Sequence, residues 1–150
     1  MDTYDVTEIL LIEDNPDDIE LTLRAFRKNN LANHITVLSD GEKALDFLFP
    51  DDPSKQDSIL QHLRLILLDL KLPKVDGLEI LKKIKTTPST SLIPVVVLTS
   101  SDLDKDIIQS YRLGVNSYLT KPVDFLKFTQ SIQEIGMYWL LLNRMPKEFQ

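Results

Sequence analysis

The chain alternates between short apolar runs and longer amphipathic segments, and this alternation most constrains its possible folds. Five short segments rich in apolar or β-branched residues are predicted as strands, and the third is almost continuously apolar, as a strand covered on both faces is. They are residues 7–12, 34–38, 63–70, 94–99 and 116–120. Most of the amphipathic segments have apolar residues at helical spacing, with turn signals near their ends. Strands that alternate with helices in this way predict one parallel sheet with helices on both faces.

The predicted fold is therefore α/β, a doubly wound five-stranded parallel sheet with five helices in a three-layer α/β/α sandwich. The total of 150 residues is enough for one domain. The segment 50–61 is polar and contains two prolines, so we predict an exposed loop there.

Composition excludes several classes of protein. The chain contains no cysteine, so it has no disulfide, no cysteine-bound metal and no thiol nucleophile. No run approaches the roughly 18 apolar residues of a membrane span, and the acidic first five residues are unlike a signal peptide. The net charge of −6 would repel a nucleic-acid backbone. We therefore expect a cytoplasmic protein that binds neither membranes nor nucleic acids.

Residues capable of chemistry lie at the ends of four of the five predicted strands. They are, in strand order, Glu13 and Asp14, Asp69, Thr99, and Lys121. The carboxyl ends of parallel strands lie at one edge of the sheet, so these side chains are expected to meet. Three carboxylates that share a site need a cation, and oxygen ligands without histidine or cysteine suit Mg²⁺. Because a carboxylate can become an aspartyl phosphate, the sequence predicts a metal-assisted phosphoryl acceptor.

Five segments, in order and with matching spacing, resemble the receiver domain of a two-component response regulator. They are residues 10–15 (LLIEDN), 67–73 (LLDLKLP), 76–77 (DG), 96–100 (VVLTS) and 118–122 (YLTKP). The resemblance spans about residues 7–142 and implies the flavodoxin-like, CheY-like strand order 2-1-3-4-5. It implies one receiver domain over residues 1–150, with a short tail at 143–150 and no output domain.

The resemblance also implies the chemistry of the strand ends. In that family the aspartate after the third strand is phosphorylated, which implies Asp69 here. The implied cofactor is Mg²⁺. Its implied ligands are the carboxylates of Glu13, Asp14 and Asp69 and the backbone carbonyl of Lys71.

Two further roles follow from the resemblance. Thr99 and Lys121 are expected to contact the phosphoryl group, and the peptide between Lys121 and Pro122 is usually cis in the family. Tyr118 is expected to turn inward when the threonine moves, so that the signal appears at the fourth predicted helix, the fifth strand and the fifth predicted helix. The implied partner is a sensor histidine kinase or a phosphotransfer protein.

The last predicted helix has more apolar residues than one buried face needs. One stripe, with 3-4-3-4-3 spacing, consists of Phe125, Phe128, Ile132, Ile135, Trp139 and Leu142. Further apolar side chains lie mostly outside the stripe, and exposed apolar surface of this kind marks interfaces. We predict a homodimer through this region, with an interface at Phe128, Ile135, Tyr138, Trp139 and Leu141. This end is similar to the response regulators of cyanobacterial phytochromes, which implies a phytochrome-type kinase among the candidate partners.

Three other functions share part of the pattern. A Mg²⁺-dependent aspartyl-phosphate phosphatase of the haloacid dehalogenase type needs a second aspartate two residues after the nucleophile, where this chain has Lys71. A flavodoxin-like cofactor binder needs a phosphate-binding loop where Glu13 and Asp14 would repel phosphate. A scaffold that is never phosphorylated would not need all five site positions intact. We therefore expect a regulator that promotes only its own phosphorylation and dephosphorylation, rather than an enzyme.

Overall fold

One parallel sheet of five strands, in the order β2-β1-β3-β4-β5, forms the centre of the computed structural model. The structure describes residues 6–28, 30, 34–122 and 124–146, so the predictions for residues 1–5 and 147–150 lie outside it. The strands are β1 (Ile9–Ile12), β2 (Ile35–Leu38), β3 (Leu65–Leu68), β4 (Val95–Thr99) and β5 (Ser117–Thr120). The predicted fold class and strand order are confirmed.

Six α-helices occur in the described part of the chain, one more than predicted. They are α1 (Pro16–Lys28), α2 (Gly41–Leu48), α3 (Pro53–His62), α4 (Gly77–Thr86), α5 (Asp104–Arg112) and α6 (Phe125–Gly136). Helix α6 continues directly into a π-helical turn, Met137–Leu142. None of these described helices is long and apolar enough to cross a membrane.

The two faces of the sheet have separate hydrophobic cores. Along β1, Leu10 and Ile12 pack with buried residues of α2, α3 and α4. Ile9 and Leu11 point to the other face and pack with buried residues of α1 and α6. This period-two alternation explains why the whole strand is apolar, because both of its faces are covered.

Helix α3 corrects the prediction of an exposed loop over residues 50–61. Asp52 caps the helix by accepting a hydrogen bond from a backbone N–H, and Pro53 lies in the first turn. Only Ile59 and Leu60 are buried among the ten residues of the helix. Two apolar residues are too few to show helical periodicity in a sequence. The two prolines and the polar composition therefore indicated a loop.

The loop between β3 and α4 folds back over the end of β3, and Gly77 allows this close approach. The N–H of Gly77 donates a hydrogen bond of 3.0 Å to the carbonyl of Leu70. A Cβ at position 77 would lie 2.5 Å from the carbonyl oxygen of Asp69 and from Cα of Leu70. Only glycine fits there, and the loop consequently packs against the backbone next to the predicted phosphoacceptor.

Candidate functional site

The strand ends bring the three predicted carboxylates together. Glu13 and Asp14 extend β1 and Asp69 follows β3, and one carboxylate oxygen of each lies within 4.8 Å of those of the other two. Glu13 is 3% and Asp69 7% exposed, whereas Asp14 faces solvent. Hard oxygen donors grouped at this spacing fit a divalent cation such as Mg²⁺ or Mn²⁺.

Lys121, which follows β5, reaches into this group from the other side. Its ammonium donates hydrogen bonds of 2.5 Å to Glu13 Oε1, 2.8 Å to Asp18 Oδ2 and 2.9 Å to Asp69 Oδ2. Its backbone N–H donates to the carbonyl of Thr99 at 2.7 Å, which places the start of the loop after β5 beside β4. The peptide before Pro122 is trans, since no cis peptide occurs among the described residues; this differs from the family pattern.

Sequence reasoning missed the contact of Asp18 with Lys121. Asp18 is one of two acidic residues in the first turn of α1, where a negative charge suits the positive end of the helix dipole whether or not it has another partner. The available signal was position, because Asp18 lies in the first turn of the helix that begins two residues after Asp14.

Glu13 and Asp69 are neighbours in the site, but their pKa values are shifted in opposite directions. Burial and the nearby charge of Asp69 raise the pKa of Glu13 to about 7. Burial also acts to raise the pKa of Asp69, but hydrogen bonds with Glu13 and Lys121 outweigh it and hold that pKa below its usual value. Burial opposes the charge of Lys121, yet the bonds to the three carboxylates raise the pKa of this lysine. Asp69 is thus ionised, as a nucleophile must be.

Backbone groups and a buried hydroxyl complete the surroundings of Asp69. The N–H of Lys71 donates to Asp69 Oδ1 at 3.2 Å, which brings the main chain of Lys71 to the carboxylate. Thr99 ends β4 and is fully buried, and its Oγ1 accepts a hydrogen bond of 3.4 Å from the N–H of Ser101. All five predicted chemical positions therefore lie at one edge of the sheet.

Tyr118 links β5 to the loop that follows Thr99. Its ring packs against the core on the α4 side of the sheet, and its hydroxyl donates to the carbonyl of Ser101 at 2.8 Å. The hydroxyl of Ser101 donates in turn to Asp106 Oδ2 on α5 at 2.5 Å. A movement of Thr99 would reach both β5 and α5 through this loop. The sequence analysis did not identify Asp106.

The predicted dimer interface is only partly exposed, which corrects the prediction. Phe128 is 3% and Ile135 6% exposed, and both pack against α1 and the sheet within their own domain. They fill the space between α6 and the sheet, so they offer little surface to a second copy. Trp139 is half-buried, whereas Tyr138 is 51% and Leu141 63% exposed.

The π-helical turn is held on the domain by one buried side chain and one hydrogen bond. Leu140 is 2% exposed and belongs to the core on the α1 side. The guanidinium of Arg64, at the start of β3, donates to the carbonyl of Leu140. This anchoring directs the other apolar side chains of the turn outward, so the turn forms an exposed apolar surface that consists of Met137, Tyr138, Leu141 and Leu142.

Residues 9–133 match the response regulator receiver domain family, and the chain belongs to this family. It is 42% identical to the probable methanogenesis regulatory protein FilR2 of Methanothrix harundinacea, over 97% of this chain and 96% of that protein. It is 38% identical to the response regulator Rcp1 of Synechocystis sp., over 92% of each.

Two solved structures support the same conclusion. The Mn²⁺-bound form of Rcp1 matches with a TM-score of 0.83 and 38% identity, over 93% of this chain and 99% of that one. The phosphorylated cyanobacterial phytochrome response regulator RcpA matches with a TM-score of 0.84 and 37% identity, over 94% and 99%. The predicted family is confirmed: the chain is a response regulator of two-component signalling, similar to phytochrome response regulators, and its family binds divalent metal ions.

Proposed function

We propose that Asp69 accepts a phosphoryl group from a phosphohistidine of a sensor histidine kinase or phosphotransfer protein. The supporting observation is the buried carboxylate of Asp69, which lies between two further carboxylates and the ammonium of Lys121 and whose pKa is held below its usual value. Residues 1–150 would act as one receiver domain in the cytoplasm, without catalysing a reaction on any other substrate.

The transfer forms one bond and breaks one. An oxygen of Asp69 attacks phosphorus, the P–N bond of the donor breaks, and the imidazole nitrogen leaves with the electron pair. A Mg²⁺ ion held by Glu13, Asp14, Asp69 and the carbonyl of Lys71 would neutralise charge on the phosphoryl oxygens.

Two side chains would bind the phosphoryl group from the other side. The Lys121 N–H groups that point at Glu13 and Asp69 would turn to one phosphoryl oxygen, and the Thr99 hydroxyl would bind another. The signal would then pass through Ser101 to Tyr118 on β5 and to α5, and from β5 onward to α6.

The names of the relatives suggest which kind of histidine kinase is the partner. RcpA is named as a cyanobacterial phytochrome response regulator and Rcp1 as a response regulator, whereas FilR2 is named as a probable methanogenesis regulatory protein. We retain a phytochrome-type histidine kinase as the first candidate, because the likeness to phytochrome response regulators extends over nearly the whole chain.

The exposed apolar turn supports a homodimer. In that dimer Tyr138 and Leu141 would contact the second copy directly, and the half-buried Trp139 would support them from below. Adjacent apolar side chains that are each about half exposed or more form a surface that association would bury.

The phosphoacceptor is tested by intact mass after incubation with acetyl phosphate and Mg²⁺. We expect a gain of one phosphoryl group in the wild-type protein, and none with EDTA or in Asp69→Asn. The Asn variant should fold normally, since it keeps the size of the side chain. A gain of the same mass in Asp69→Asn would contradict the assignment.

The dimer is tested by sedimentation of Leu141→Glu, with and without Mg²⁺ and beryllofluoride. We expect this variant to be monomeric under conditions in which the wild type is dimeric. Leu92→Glu, at an exposed leucine outside the turn, is the matched control and should remain dimeric. A strictly monomeric wild type in both conditions would refute the proposal. Truncation is a poorer test, because it would remove the buried Leu140.

A further inference from the structure

Asp18 is the one partner of the Lys121 ammonium that lies outside the group of potential metal ligands. Glu13 and Asp69, its other two partners, are members of that group, whereas the carboxylate of Asp18 is not. An ammonium has three N–H donors, and each of them points at a different carboxylate. Phosphorylation would engage Glu13 and Asp69 with the metal and the phosphoryl group, which leaves Asp18 as the remaining partner.

The backbone of Asp18 is held firmly enough for this task. Its N–H donates to Asn15 Oδ1 at 3.1 Å, so it belongs to the capped first turn of α1. Its carbonyl accepts a hydrogen bond of 2.7 Å from the hydroxyl of Thr22, which is 1% exposed. The side chain of Asp18 is 23% and that of Lys121 10% exposed, so water competes little with their contact.

We infer that Asp18 is a positioning residue, which holds Lys121 at the site while the other two N–H groups of that lysine turn to the phosphoryl oxygen. This role rests on the proposed function of Asp69. It acts on the rate of phosphoryl transfer and not on metal binding, because a fixed ammonium loses less freedom in the transition state.

The chain supplies a matched control for the test. Asp17 lies in the same turn of α1 and carries the same charge, but its side chain is exposed. Asp17→Asn and Asp18→Asn therefore change the net charge and the helix terminus alike. They differ in the contact with Lys121.

The experiment measures the maximal rate of phosphorylation by acetyl phosphate and the half-saturating Mg²⁺ concentration. In Asp18→Asn the maximal rate is expected to fall about tenfold relative to Asp17→Asn, with the half-saturating Mg²⁺ concentration within twofold. Asp18→Glu keeps the charge and should recover most of the rate. In a Lys121→Gln background, Asp18→Asn should change the rate less than twofold, because the group that it positions has been removed.

Each alternative result has a distinct meaning. A wild-type protein that takes up no phosphoryl group overturns the proposed function and this role with it. Equal rates in Asp17→Asn and Asp18→Asn overturn the role alone. A change in Mg²⁺ requirement as large as the change in rate, or a further tenfold loss in the Lys121→Gln background, also overturns it. Circular dichroism establishes that the variants are folded, and Asp18→Ser, which also removes the charge, replaces Asp18→Asn if that variant does not fold.

Discussion

Lys121 and Lys85 are two partly buried lysines at opposite edges of the same sheet. Lys121 lies at the carboxyl edge, where its three hydrogen bonds go to carboxylates. Lys85 lies near the end of α4 at the amino edge, where its three hydrogen bonds go to uncharged oxygens. Those oxygens are the carbonyls of Ser91 (3.2 Å) and Ile93 (2.8 Å) and Oδ1 of Asn116 (2.9 Å).

The surroundings, rather than the residue type, decide what each lysine does. Burial lowers the pKa of Lys85 to about 8, whereas the acidic partners raise the pKa of Lys121. Lys85 ties α4 to the segments that precede β4 and β5, and its stem packs beside Gly114, whose φ is +98°. Lys85 therefore stabilises a junction, while Lys121 supplies charge that can be redirected to a ligand.

The largest difference is expected in phosphorylation. Lys121→Gln should lower the rate of phosphorylation by acetyl phosphate by about 10²–10³-fold, because the site loses a positive group aimed at developing negative charge. Lys85→Gln should change it less than threefold. The rate is measured as the increase of the phosphorylated fraction with time, which is followed by intact mass. Similar losses in both variants would mean that the two edges are not functionally distinct.

A second difference concerns pH. The folded-state pKa of Glu13 is about 7, against an ordinary value of 4.5, so the folded protein retains a proton that the unfolded chain releases. This contribution to stability is complete below pH 4.5 and is lost as pH rises through 7. Urea unfolding in EDTA should therefore show a free energy of unfolding that falls between pH 5 and pH 8 in the wild type. This fall should be absent in Glu13→Gln. The exposed Glu42→Gln is the control and should keep the wild-type slope; an equal slope in Glu13→Gln would contradict the assignment.

The smallest difference is expected in the stability of the junction. Lys85→Met should lower the free energy of unfolding by about 2 kcal/mol, since it removes the donor of three hydrogen bonds, although Asn116 Oδ1 keeps its bond from the N–H of Val95. Lys82→Met, at an exposed lysine on the same helix, should change it by less than about 0.5 kcal/mol. Denaturant unfolding at pH 7 measures both. Equal stability of the two variants would show that the bonds of Lys85 contribute nothing net.

The amino-acid sequence was sufficient to predict the sheet and the side chains that meet at its carboxyl edge. The apolar runs that form the strands and the residue at the end of each run are local properties, and the parallel arrangement brings those residues to one edge. The match of residues 9–133 to the receiver family agrees with this prediction. The predicted strands agree with the observed ones within two residues at each end.

Contacts between distant segments depended on the tertiary structure. Asp18 and Lys121 are 103 positions apart, and Lys85 and Asn116 are 31 apart, so no local pattern relates them. The same reason applies to Phe128 and Ile135, whose apolar character indicated burial but not whether the partner was their own sheet or a second copy.

The sequence by itself determined which residues can form strands and which chemical groups follow them, because hydrophobic periodicity and chain order are written in it directly. The tertiary structure decided which groups surround Lys121, which side chains of the C-terminal turn remain exposed, and that α3 is a helix. These outcomes depend on how the helices and strands pack against one another. The local sequence is compatible with several sets of such contacts, and the packing of the whole domain decides which of them form.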